Sequence, residues 1–131
     1  MGQIDTGKVK EMEINKDIHG LIELLNYNEE HIIRSNAAEA LGEIGNIIAV
    51  DSLINSLNDE DYIVRGSASW ALGEINDDHA VKPLIKALDD RDSDVRKFSA
   101  FTLGNIGDSC AVESLLKRLN DKCSTVRENV I

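Results

Sequence analysis

The side chains with chemical reach in this sequence are three histidines, two cysteines and an arginine that recurs at a fixed spacing. Arg34, Arg65, Arg96 and Arg127 follow one another at intervals of 31 residues. A repeated guanidinium can hold an anion or brace a scaffold through paired carboxylates, and bracing is the reading adopted for a charge set into a packed helix. Imidazoles bind a metal or move protons only when brought together, and His19, His31 and His79 share no common interval. Cys110 and Cys123 have no histidine near them in sequence to raise either to a nucleophile. The chain contains no Walker glycine loop, no His-Glu-x-x-His and no Gly-x-Ser-x-Gly. No catalytic, cofactor-binding or metal-ligating set is therefore assigned.

The elements that carry these residues repeat with them. Gly42, Gly73 and Gly104 keep the 31-residue interval, as do Leu41, Leu72 and Leu103, then Ile44, Ile75 and Ile106, then Ala49, Ala80 and Ala111. A period of this length marks a solenoid of stacked supersecondary units. Each unit holds two helical patterns. Leu53, Ile54 and Leu57 recur as Leu84, Ile85 and Leu88 and again as Leu115, Leu116 and Leu119, one stripe of a first helix. Val64, Ala68, Ala71, Leu72 and Ile75 lie along one face of a second. Gly45, Asn76 and Gly107 stand where a left-handed cap ends the second helix, and Asn46, Asp77 and Asp108 follow as caps of the next element. The spacing predicts helices over 18–26, 31–44, 49–57, 62–75, 80–88, 93–106, 111–119 and 124–131. A glycine inside a helix costs about 1 kcal/mol against alanine, so the column at 42, 73 and 104 predicts close approach of a neighbouring helix.

The fold expected is an all-α superhelix of about 3.5–4 helical hairpins, with units at about 18–48, 49–79, 80–110 and 111–131. Residues 1–17 match no part of the repeat and are expected to be a flexible or capping extension. The last unit stops before its Ala-Leu-Gly segment. Val126, Val130 and Ile131 are read as a cap on the third unit's core, with self-association or membership of a longer array as the alternatives.

Asp61–Ile75 (Asp-Tyr-Ile-Val-Arg-Gly-Ser-Ala-Ser-Trp-Ala-Leu-Gly-Glu-Ile) and the matching segment 92–108 resemble HEAT-like repeats of the short kind known from phycobilisome lyases. The resemblance covers about residues 18–131. It implies a ladder in which an aspartate of the turn between the two helices bonds an arginine early in the second. The matching residues are Asp59 with Arg65, Asp90 with Arg96 and Asp121 with Arg127, while Asn28 stands near that place before Arg34 and implies a weaker rung. Deoxyhypusine hydroxylase, built from similar repeats, holds iron with His-Glu dipeptides on its second helices. No His-Glu occurs anywhere in this chain.

A formal net charge of −10 argues against non-specific binding to nucleic acid or an anionic membrane, both of which need a Lys/Arg excess. No apolar run is long enough to span a bilayer. A cytoplasmic location is the default expectation. On the second helices, Trp70 lies off the apolar stripe, in one column with Phe101 and Glu39. Glu43 and Glu74 come one turn later, and Phe98 can join from the helix start. Aromatic side chains rimmed by carboxylates form a candidate hot spot for another protein carrying a Lys/Arg segment; packing of Trp70 and Phe101 between neighbouring helices is the alternative. The function expected is a non-catalytic scaffold or adaptor. The alternative is a small enzyme or enzyme subunit, oxidoreductase or lyase, of the related HEAT-like group.

Overall fold

The computed structural model describes residues 4–27, 29–107 and 115, and they form an all-α superhelix of stacked helical hairpins. The helices described are α1 (Thr6–Ile14), α2 (Ile18–Leu24), α3 (His31–Ile44), α4 (Val50–Ser56), α5 (Tyr62–Ile75), α6 (Val81–Ala87) and α7 (Ser93–Ile106). Each first helix, α2, α4 or α6, packs on the second helix that follows it, and α3, α5 and α7 pack side by side in one row. The core lies between these layers. Leu21, Leu53 and Leu84 fill it from the first helices, and Leu41, Leu72 and Leu103 from the second, all at 1% exposure or less. The two leucine columns of the sequence thus meet, and no pair of helices could bury its apolar stripe without the next.

The second helices have the bounds the caps predict. Gly45, Asn76 and Gly107 adopt φ of 76°, 60° and 72°, and their N–H groups donate to the carbonyls of Leu41, Leu72 and Leu103. The first helices are shorter than expected. The side chains of Asn46 and Asp77 accept from the N–H two residues on, of Ile48 and His79, which closes a 3-10 turn rather than an α-helical one. These turns, Ile47–Ala49 and Asp78–Ala80, lead into α4 and α6. Pro83 falls in the first turn of α6, where its missing N–H leaves no intrahelical bond unmade.

The arginines bind differently from the pairing implied by resemblance. Arg34 donates from Nε and Nη2 to the Asp59 carboxylate at 2.9 and 3.1 Å, and Arg65 does the same to Asp90. Each guanidinium therefore reaches the carboxylate of the following unit. Towards its own unit it uses backbone: Arg65 Nη1 donates to the carbonyls of Asp59 and Glu60, and Arg96 Nη1 to that of Asp90. A bidentate fork needs a carboxylate facing it squarely, and the next turn offers one while the arginine's own turn presents carbonyls. Arg34 accordingly has a full carboxylate rung and also bonds the Tyr27 carbonyl. Asn28, Asp121 and Arg127 lie outside the described residues, as do Cys110, Cys123, Val126, Val130 and Ile131.

Close helix approach explains two of the three column glycines. A Cβ on Gly42 would stand 2.8 Å from the Cα of Ala71, and one on Gly73 2.8 Å from Cγ2 of Thr102. The helices expected at 111–119 and 124–131, beyond Gly104, lie outside the described residues.

Residues 6–14 form a helix of their own. Asp5 caps α1 by accepting from the Lys8 N–H, and α1 packs against α2 and α3 with Val9 buried. By lying on α3, it extends the row of second helices by one member. None of the helices among the described residues is long and apolar enough to cross a membrane.

Candidate binding groove

A groove of about 900 Å³ runs along the row of second helices. Helix α1 forms one wall with Val9, Lys10 and Glu13, and α3 contributes Asn36, Glu39, Ala40 and Glu43. Helix α5 supplies Tyr62, Ile63, Gly66, Ser67 and Trp70, and the start of α7 closes the far end with Asp94 and Phe98. Four carboxylates and one ammonium are thus gathered around three aromatic rings.

The aromatic rings are seated on glycines of the preceding helix. Trp70 is half-buried, and its Cζ3 would lie 2.9 Å from a Cβ on Gly42. Phe98 is also half-buried, with Cδ2 3.4 Å from the place of a Cβ on Gly66. The Trp70 ring occupies space that a side chain at position 42 would need, whereas a Cβ at position 66 would stand in ordinary contact with Phe98; both rings line the groove. Among the polar groups, Ser67 Oγ donates to Glu39 Oε1 at 3.2 Å. Lys10 Nζ donates to Glu13 Oε2 at 2.6 Å. That hydrogen bond, then the charge of Glu13, and more weakly that of Glu43, hold the ammonium's pKa above its ordinary value. Lys97 reaches over from the next turn of α7, with its Nζ 4.7 Å from the centre of the Phe98 ring and 3.7 Å from Asp94 Oδ1.

The residues expected to make a binding column are not all in one place. Trp70, Glu39, Glu43 and Phe98 line the groove. Phe101 and Glu74 are exposed, Phe101 at 47%, but are not part of its lining. Phe101 occupies the register of Trp70, yet the close space over Gly73 is taken by Thr102, so the ring that enters the groove from α7 is that of Phe98, one turn earlier. The contribution of α1 was missed. Its signals were Asp5 ahead of a short run with Lys8–Glu11 and Lys10–Glu13 pairs at i, i+3, a charged helix with too little apolar character to show as a repeat unit.

The histidines sit apart from this groove, none of them among its lining residues. His79 Nδ1 lies 2.7 Å from Asp77, whose hydrogen bond and charge raise the imidazole pKa, and His31 Nδ1 lies 3.8 Å from Asp61.

Comparison with known proteins agrees with the helical stacking. A family model for HEAT repeats matches residues 18–97 and 81–131. No curated protein matches by sequence. Among solved structures, that of the complex of CpcE and CpcF of phycocyanin lyase from Nostoc sp. PCC7120 is similar, at 26% identity and a TM-score of 0.83 over 95% of this chain. Human deoxyhypusine hydroxylase in complex with glycerol is similar at 26% identity and a TM-score of 0.74 over 86% of this chain. The chain spans 56% of the lyase chain and 40% of the hydroxylase chain. An engineered protein, 24% identical with a TM-score of 0.66 over 97% of this chain and 64% of its own, shares the fold.

Proposed function

We propose that this chain, which belongs to the HEAT-repeat family, is a non-catalytic protein-interaction module that takes a Lys/Arg-bearing segment of another protein into the groove along α1, α3, α5 and the start of α7. The observation that carries this reading is the seating of Trp70 and Phe98 among Glu13, Glu39, Glu43 and Asp94 in one groove. Aromatic rings with one surface exposed supply apolar contact at little cost in side-chain entropy, and a cation over such a ring gains a further attraction. Carboxylates beside the rings select that cation and repel acidic segments. A volume of about 900 Å³ exceeds what one side chain needs and suits several residues of a peptide.

A second reading is supported by the similarity to the phycocyanin lyase complex, which joins two proteins. In it, the chain is one subunit of an enzyme assembly and the groove is where the other subunit docks. Activity that appears only in the purified complex would favour this reading, and an inactive complex favours the adaptor.

The test uses Trp70 itself, the only tryptophan in the chain. Titration of octa-arginine should change its emission saturably, and octa-glutamate should not. Glu39→Gln/Glu43→Gln leaves exposed positions exposed and should weaken binding about tenfold. Trp70→Ala/Phe98→Ala, followed by a dye on the peptide and checked for equal helicity, should weaken it at unchanged protein charge. Undiminished affinity in the Trp70→Ala/Phe98→Ala protein would mean that the peptide answers only to charge, and the groove would lose its role.

A further inference from the structure

The positive charges that already stand in and beside this groove divide it into three parts. At the α1 end, Glu13 is bonded at 2.6 Å by Lys10 of the same helix. At the α7 end, Asp94 has Lys97 at 3.7 Å, and the same ammonium covers the Phe98 ring at 4.7 Å from its centre. Between them, Glu39 and Glu43 lie one turn apart on the same face of α3, with Gly42 beside them and the Trp70 ring laid over that glycine. Among the described residues, no lysine or arginine forms an ion pair with Glu39 or Glu43; Lys10, bonded to Glu13, feels the Glu43 charge only weakly. Glu39 is instead steadied by the Ser67 hydroxyl, which occupies one carboxylate oxygen.

The geometry points to a selective subsite: Glu39, Glu43 and Trp70 take a single lysine or arginine side chain of the partner, while Lys10 and Lys97 neutralise the two ends, so that the further cations of a polybasic run gain nothing there. This rests on the reading of the groove given above and adds the kind of segment it selects, one cation in an apolar or neutral stretch. A flat guanidinium can lie along the indole face and still reach both carboxylates, since residues at i and i+4 stand about 5–6 Å apart at Cβ. A second cation placed a few residues to either side meets an ammonium of this chain instead of a bare carboxylate. A carboxylate already paired with an ammonium offers a second cation little further attraction, and salt screens what remains.

The inference is tested with two blocked peptides, octa-arginine and a heptapeptide of alanine and leucine with one central arginine. Each is titrated into the wild type and into Lys10→Met/Lys97→Met, whose changed side chains are exposed or half-buried at the groove rim. The variant should gain affinity for octa-arginine by about fivefold or more over any gain for the heptapeptide, by the size of two rim charges, and the gain should fade in high salt. Lys10→Arg/Lys97→Arg should restore wild-type behaviour, and Lys82→Met/Lys86→Met, which removes the same two charges from exposed positions on α6, should show no such preference; an equal preference there would overturn the subsite. Equal gains for both peptides, or none, would overturn the subsite while leaving the groove as a binding surface. If neither peptide bound wild type or variant, the groove reading and the subsite would fall together.

Discussion

At Asp59 one side chain and one carbonyl meet three demands at once. The carboxylate receives the forked guanidinium of Arg34, its Oδ1 also accepts the Asp61 N–H at 2.9 Å, and its carbonyl takes Nη1 of Arg65. Asp90 repeats the pattern with Arg65, the Asp92 N–H and Arg96. The side chains of Arg34 and Asp59 are 7% and 12% exposed, so either charge left alone would be poorly hydrated. Asp59→Ala is expected to cost about 3 kcal/mol in denaturant unfolding, the scale for breaking a buried pair. Arg34→Ala/Asp59→Ala should cost clearly less than the sum of the single changes, because the second removes the charge the first stranded. Strictly additive losses would show that the two side chains do not act as a pair. The residue types of this network were legible in the sequence, but their pairing was not. Asp59 is near Arg65 in the chain and remote from Arg34, and only the stacking of two units decides which guanidinium faces its carboxylate.

Helix by helix, the best-read elements were those with chemistry at both ends. All three second helices end at a left-handed residue after the last isoleucine, and α5 and α7 begin behind a capping aspartate, whereas Glu30 before α3 makes no side-chain cap. Helices α4 and α6 start late because an Asx side chain caps a 3-10 turn as readily as an α-helix, which a residue type alone does not reveal, whereas α2 starts as expected behind Asp17 and ends early. Helix α1 escaped notice because it buries only Val9 fully and leaves Ile14 70% exposed, so it has no stripe to read. Glycine spacing did foretell close packing at Gly42, and Gly66, outside that column, gives a measurable contrast. Gly42→Ala would drive a methyl to 2.8 Å from backbone at Ala71 and 2.9 Å from the Trp70 ring. A loss of about 1–3 kcal/mol is expected by thermal or denaturant unfolding, since overpacking outweighs the ~1 kcal/mol that alanine gains in a helix. Gly66→Ala meets only Phe98 at 3.4 Å and should be close to neutral or stabilising. A Gly42→Ala protein as stable as the wild type would mean that α3 and α5 are not held at this distance.

For the whole molecule, the 31-residue period determines a stack whose stability is spread over neighbouring interfaces, and whose open side is a row of second helices. The period makes every unit alike, and the groove arises where the units differ. Trp70 stands where its neighbours have Glu39 and Phe101, Phe98 stands where they have Asn36 and Ser67, and α1 supplies a wall that no repeat encodes. The residues drawn from the repeat therefore include Trp70, Glu39, Glu43 and, from the helix start, Phe98, which line the groove, together with Phe101 and Glu74, which do not. The net charge of −10 would attract any polycation weakly, so affinity by itself is a blunt measure of the account. The position of a bound segment is a sharp one. The decisive measurement is an NMR titration of isotope-labelled protein with the single-arginine heptapeptide, following backbone amides and the Trp70 indole N–H. Shifts that saturate together at Glu39, Glu43, Ser67, Trp70 and Phe98, and spare α4 and α6 on the other side of the stack, are the predicted result. Shifts centred on α4 and α6, or an unmoved Trp70 indole at saturating peptide, would contradict it.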